Sequence, residues 1–85
     1  MSVAEEIRER LEAAFAPEEL AVIDESESHR GHAGWREGGE SHFAVRITAM
    51  PFAEMSRIER HRAIHAALGS DLMARIHALR LIVGT

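Results

Sequence analysis

The sequence predicts an α+β domain of 85 residues with the element order α-β-β-α-α-β. Apolar residues recur at helical spacing before Pro17, whereas residues 42–49 and 77–83 alternate between apolar and polar, as strands with one buried face do. Ser-x-x-Glu capping boxes at Ser2 and Ser56 indicate two helix starts. We therefore expect a three-stranded mixed sheet with helices packed on one face.

The first half of the chain predicts one helix, one strand and a long connection. An apolar stripe runs to Pro17, which ends the helix; its members are Val3, Ile7, Leu11, Ala14 and Phe15. Residues 20–24 form a short β-like run. The range 26–41 is polar and carries four glycines, which predicts a flexible functional loop within a single domain of residues 1–85.

The second half predicts a strand, two helices and a final strand. Apolar residues face the core from the first of these strands, namely Phe43, Val45, Ile47 and Ala49. A helix extends from Ser56 to about Leu68, and Gly69 suits a left-handed C-cap. Ser70 is expected to cap a further short helix through Arg75. In the last strand His77 shares a face with Leu79, Leu81 and Val83.

Composition excludes several classes of function. The chain has no cysteine, so it cannot supply a thiolate ligand by itself. Its net charge of −4 weakens a general nucleic-acid function, although all ten basic residues are arginine. No apolar run is long enough to span a membrane. The acidic start of the chain does not resemble a transit peptide, so we expect a cytoplasmic protein.

A basic helix makes DNA binding the principal alternative. The candidate contacts are Arg57, Arg60 and Arg62, in a helix followed by a turn and a short helix, as in helix-turn-helix proteins. Other residues of this helix share one arc of about 120°; they are Ile58, His61, Ile64, His65 and Leu68. Arg60 and Arg62 lie on opposite flanks of that arc, where one DNA groove cannot easily contact both. We expect His61 and His65 to border the core and the arginines to be solvated or paired.

Catalytic patterns are weak, whereas histidine placement is informative. The pairs Ser28-His29 and Ser41-His42 are only sequence neighbours, and there is no nucleophile elbow, so we do not expect an enzyme. His29 and His32 lie in the glycine-containing loop, and His77 lies where the short helix meets the last strand. These three could bind zinc or nickel weakly, but a single histidine is more often a surface residue or one hydrogen-bonded near the core.

Four segments resemble the BolA family in order and spacing over nearly the whole chain. They are Asp24-Glu25-Ser26, Glu40-Ser41-His42-Phe43, Phe52 followed by Arg60-His61-Arg62, and His77-Ala78-Leu79. Glu54 stands where the family commonly has a glycine, which affects the turn before the helix. The resemblance implies a fold related to class II KH domains, and the chain lacks the GxxG loop with which KH domains hold nucleic acid.

The resemblance also implies a heterodimer with a monothiol (CGFS-type) glutaredoxin that shares a 2Fe–2S cluster. The glutaredoxin cysteine and glutathione would supply two thiolates. This chain would supply His77 and a loop histidine, with His32 as first choice and His29 as the fallback. Without its partner the chain is expected to be a monomer with no cofactor. Because a histidine must be neutral to ligate, cluster binding should weaken as the pH falls through about 6.5.

Three hypotheses follow for the function. The preferred one is an adaptor in iron–sulfur cluster trafficking or iron homeostasis signalling. The second is a DNA-binding transcriptional regulator of stress response and cell morphology. The third is an interaction module whose histidines bind no metal.

Overall fold

A computed structural model of the protein describes residues 2–25 and 42–84. The elements are α1 (Val3–Phe15), β1 (Glu19–Asp24), β2 (His42–Thr48), a 3₁₀ turn (Met50–Glu54), α2 (Arg57–Leu68), α3 (Ser70–Met73) and β3 (Ala78–Gly84). The predicted flexible loop 26–41 lies outside the described residues. Among the helices that the structure describes, none has the length and apolar content required to cross a bilayer.

The sheet is mixed, as predicted, with the strand order β1-β2-β3. β1 pairs antiparallel with β2, and β2 pairs parallel with β3 after the helical crossover. Phe43, Val45 and Ile47 point from the central strand into the core and are almost fully buried. The helices complete that core with Ile7, Leu11, Ile64, Leu68 and Leu72. The predicted α+β architecture is therefore confirmed.

The two predicted helix starts differ in detail. At Ser56 the capping box is complete, because the Ser56 side chain accepts from the Glu59 N–H and the Glu59 carboxylate accepts from the Ser56 N–H. At Ser2 the side chain accepts from the Glu5 N–H. Among the described residues, the Glu5 carboxylate accepts no hydrogen bond from the Ser2 N–H, so this capping box is incomplete. The capping interaction lowers the pKa of Glu59, chiefly through the backbone hydrogen bond to Ser56.

Two local predictions are wrong, and a third is confirmed only in part. Ala14 is exposed, because α1 buries a narrower stripe through Val3, Ile7 and Leu11. Ser70 does not cap α3: Gly69 occupies the cap position at φ 83°, and the helix ends at Met73. Gly69 has the positive φ that was expected, but with an extended ψ of 152° rather than the left-handed helical value.

The 3₁₀ turn after β2 was not predicted from the sequence. Pro51 lies in its first turn, where its missing N–H costs no hydrogen bond. The turn places Phe52 in the core, with its ring centroid 4.9 Å from that of Phe15. It therefore connects the end of β2 to the end of α1.

Ion pairs connect α1 to the segment around α3. The Arg10 guanidinium contacts the Asp71 carboxylate at 3.2 Å and also donates to the Leu68 carbonyl. Arg75 contacts the Glu6 carboxylate at 2.8 Å. The hydrogen bonds from these arginines lower the pKa of Glu6 and of Asp71, because they favour the charged carboxylates.

Candidate metal-ligand site

His77 is exposed and is the residue immediately before β3. His42 is the first residue of β2 and is only 4% exposed. The parallel register places His42 opposite Ala78, so strand pairing alone brings the two histidines together. Their ring centroids lie 5.1 Å apart, with the ring planes inclined by 54°. The site thus consists of one accessible imidazole packed against one buried imidazole.

All three strands contribute to this end of the sheet. The Glu25 N–H, just after β1, donates to the His42 carbonyl at 2.8 Å. The Glu25 carboxylate accepts from the Arg80 guanidinium of β3 at 2.7 Å. This hydrogen bond raises the pKa of Arg80, because it favours the protonated guanidinium. The backbone under His77 is therefore fixed by pairing and by an ion pair across the sheet.

The two other predicted metal ligands lie outside the described residues. His29 and His32 belong to the segment 26–41, so their distances to His77 stay untested. Within residues 2–25 and 42–84 no group of three or more histidine or acidic side chains could hold a metal ion. An exposed neutral imidazole at a fixed strand end can still supply one nitrogen ligand.

Sequence analysis missed His42 as a member of the site. From the sequence, His42 stands out only as a neighbour of Ser41 and as part of the segment that opens a strand. The signal that could have identified it is the parallel pairing, since histidines at the start of two adjacent parallel strands lie close together. That pairing depends on the crossover direction, which hydrophobic periodicity alone does not give.

The outer surface of α2 carries the second group of candidate residues. A depression of about 470 Å³, which we call the outer depression, is lined by Arg57, Ile58, His61, Arg62 and His65. Arg57 and Arg62 are exposed, as expected, and have no ion pair with any described residue. Ile58, which is 61% exposed, forms the apolar part of the depression.

Only part of the arc of about 120° on α2 faces the core, although the sequence predicts that its histidines border the core. Ile64 and Leu68 are fully buried, and His61 is half-buried as expected. Ile58 and His65 are exposed, so the expectation that His65 borders the core is wrong. The helix contacts the core along the side that contains Ile64, Ala67 and Leu68, which leaves Ile58 on the outer surface.

Arg60 lies on the other flank of α2, away from Arg62. Its Nε donates to the Met55 carbonyl at 3.1 Å, which fixes the guanidinium near the start of the helix. It lines a groove between α2 and β3 rather than the outer depression. The expected separation of Arg60 from Arg62 is therefore confirmed.

Comparison with known proteins gives a consistent result. The family model described as "BolA-like protein" matches residues 11–85. The chain is 51% identical over 80 residues to a Sinorhizobium sp. protein described as "Uncharacterized protein in cobS 5'region", covering 93% of this chain and 86% of that protein. It is 41% identical over 81 residues to the Escherichia coli "DNA-binding transcriptional regulator BolA", covering 95% and 73%.

Solved structures agree with the sequence relatives. The BolA domain of SufE1 from Arabidopsis thaliana superposes with a TM-score of 0.84 at 39% identity, covering 100% of this chain and 93% of that one. The full-length Arabidopsis SufE-like protein 1 is much longer, and the chain matches only 22% of it. The sheet order, the family model and these relatives together show that the chain belongs to the BolA-like protein family.

Proposed function

We propose that this protein is a non-catalytic adaptor that forms a heterodimer with a monothiol glutaredoxin and shares a 2Fe–2S cluster with it. The observation that carries the proposal is the exposed His77 at a fixed strand end, packed against His42. In the proposal the chain acts in the cytoplasm and is monomeric without its partner. The cluster is cargo for iron–sulfur trafficking or iron homeostasis signalling.

His77 supplies the fixed nitrogen ligand. The parallel ladder from His42↔Ala78 onward holds the backbone next to it, so the ring needs little reordering when the cluster arrives. His42 contacts one side of the ring and restricts its orientation, because a buried side chain has few alternative rotamers. The second ligand from this chain is His32, with His29 as the fallback.

The partner supplies the thiolates. With no cysteine, this chain cannot provide the ligands that iron–sulfur clusters usually take. A glutaredoxin cysteine and a glutathione thiolate complete the shell in the proposed heterodimer. Histidine ligation raises the reduction potential of such a cluster relative to thiolate ligation alone. A mixed histidine and thiolate shell therefore suits cluster transfer or sensing.

Anaerobic reconstitution with a monothiol glutaredoxin, glutathione, iron and sulfide tests the ligand assignment. The native chain should form a heterodimer whose visible absorption and circular dichroism differ from those of the glutaredoxin homodimer. His77→Ala should abolish that difference. His65→Ala is the matched control, because His65 is also an exposed histidine but lies on α2. A native spectrum from His77→Ala would overturn the assignment.

The loop ligand is tested in the same system. We expect His32→Ala to reduce the heterodimer spectrum, and His29→Ala to leave it almost unchanged. The reverse order would make His29 the second ligand. If neither substitution, alone or together, alters the spectrum, the loop contributes no ligand and that part of the proposal is wrong.

DNA-binding regulation is the second candidate. It is supported by Arg57 and Arg62, which have no ion pair with any residue in 2–25 or 42–84, and by the E. coli relative, which is named a DNA-binding transcriptional regulator. It is ranked second because exposed Ile58 gives the basic surface an apolar part that phosphates cannot use. DNA affinity should fall steeply with salt and be lost when Arg57, Arg60 and Arg62 become glutamine. Salt-independent or unchanged binding would exclude this candidate.

A further inference from the structure

We propose that the free edge of β3 and the neighbouring side of α2 form a docking site for an extended, acidic segment of another protein. The segment would add to the sheet as a fourth strand. The site lies toward the end of β3, around Leu81 and Val83, roughly 13–20 Å along the strand from His77. It is therefore separate from the proposed cluster site and does not depend on it.

The outer edge of β3 has backbone groups available for pairing. β3 is the last strand in the sheet order formed by the described residues. The Ala49 N–H donates to the Gly84 carbonyl, so the backbone of Gly84 faces β2. In a parallel strand, the N–H and the carbonyl of one residue point to the same side, and successive residues alternate between the two sides. Leu79, Leu81 and Val83 consequently direct their N–H and carbonyl groups away from β2.

The side chains at the same positions form the floor of a groove. Leu81 and Val83 are half-buried on the helix-facing side of the sheet. With Arg57, Arg60 and His61 of α2 they line a groove of about 330 Å³, which we call the edge groove. Free backbone groups next to a side-chain groove are the two features that peptide recognition by strand addition requires.

Charge identifies the kind of segment that fits. In the described part of the chain Arg57 has no ion pair, and the only side-chain hydrogen bond of Arg60 runs from its Nε to the Met55 carbonyl. Glu59 is the only acidic residue of α2, and its carboxylate is bound to the Ser56 N–H. The edge groove is thus cationic, and side-chain carboxylates next to aliphatic residues complement it.

A second copy of this chain fits less well. Pairing two β3 edges about a twofold axis would place Arg57 and Arg60 of both copies along one seam, where like charges repel. Nucleic acid also fits less well, because phosphates can use neither the outward backbone carbonyls of β3 nor the floor formed by Leu81 and Val83. The acidic protein segment is the occupant that uses all of these features.

Fluorescence anisotropy with a labelled peptide of alternating glutamate and valine tests the site. We expect binding that weakens with salt, and Arg57→Glu should weaken it by about tenfold or more. Arg46→Glu is the matched control, since Arg46 is exposed on the opposite sheet face and has no ion pair with a described residue. A peptide with lysine in place of glutamate should not bind. Equal binding by native chain and Arg57→Glu would overturn the proposal.

Amide hydrogen exchange supplies a readout specific to strand addition. Saturating peptide should slow exchange at Leu81 and Val83 by about tenfold or more, while Ile82, whose N–H faces β2, changes little. His77→Ala should bind the peptide as the native chain does, which separates this site from the cluster site. The proposal fails if those two amides are unaffected. It also fails if a DNA oligonucleotide displaces the peptide at equal concentration, or if the chain dimerises through this edge.

Discussion

The two sides of the molecule use arginine differently. On the side where α1 meets α3, Arg10 and Arg75 each contact a carboxylate of another element. On the outer side of α2, Arg57 and Arg62 have no carboxylate partner among the described residues. The first pair contributes to the folded state, whereas the second pair keeps its charge available. The α2 side therefore carries the uncompensated positive charge that the proposed docking of an acidic segment requires.

The largest expected effect compares two isoleucines of the same helix. Ile64 is fully buried, whereas Ile58 is 61% exposed. Ile64→Ala should lower the free energy of unfolding by about 3 kcal/mol, because it leaves a cavity under the sheet. Ile58→Ala should change it by less than about 0.5 kcal/mol, because most of the Ile58 side chain is already exposed to solvent. Urea unfolding followed by far-UV circular dichroism measures both free energies. Equal losses of stability would show that Ile58 is packed as tightly as Ile64, which would contradict an exposed outer surface of α2.

A glycine at the junction of α2 and α3 gives the next largest effect. Gly69 has a φ of 83°, and an added Cβ would lie 2.8 Å from Asp71 Oδ1 and 3.2 Å from Arg10 Nη1. Gly69→Ala should therefore lower the free energy of unfolding by about 1–2 kcal/mol, through backbone strain and displacement of the ion pair. A native unfolding midpoint in urea would show that this junction tolerates a different backbone conformation.

The end of α1 offers the opposite substitution. Ala16 has a φ of 46° and donates its N–H to the Glu12 carbonyl, a position that glycine usually occupies. Ala16→Gly should raise the free energy of unfolding by about 0.5–1 kcal/mol, because it relieves the left-handed strain. Ala13→Gly, within the same helix and exposed, is the control and should lower stability. If both substitutions destabilise equally, the strain at Ala16 is absent.

The smallest expected effect concerns the ion pair between Arg10 and Asp71. The pKa of Asp71 is lowered from 3.8 in the folded state, so its contribution to stability is present above that pH and is lost as the pH falls through the folded value. Asp71→Asn should lower Tm slightly at pH 7, and this loss should shrink as the pH falls below 3.8 and in about 1 M salt. Arg57→Gln should leave Tm unchanged throughout. A pH-independent effect of Asp71→Asn would assign it to packing instead.

The sequence predicts most of the fold because its signals are local. Apolar periodicity identifies α1 and the strands, and the Ser56 to Glu59 capping box locates the start of α2 correctly. The 3₁₀ turn that buries Phe52 escapes prediction, because a single turn is too short to produce a periodic pattern. The exposure of Ile58 also escapes, because it depends on how α2 is rotated against the sheet.

The candidate site is predictable only in part. His77 is identified by the family resemblance, and the structure places it at an accessible strand end. The contact with His42 results from parallel pairing between strands that are far apart in sequence. The edge groove likewise depends on β3 being an edge strand beside α2. Such features require the tertiary arrangement, which local patterns do not contain.

The most direct test of the central claim is electron–nuclear spectroscopy of the reduced cluster in the heterodimer. This chain is labelled with ¹⁵N, while the glutaredoxin and glutathione carry natural-abundance nitrogen. The account predicts a strongly coupled ¹⁵N signal that is lost in His77→Ala and persists in His65→Ala. Absence of any strongly coupled ¹⁵N nucleus, or an unchanged signal in His77→Ala, would contradict it.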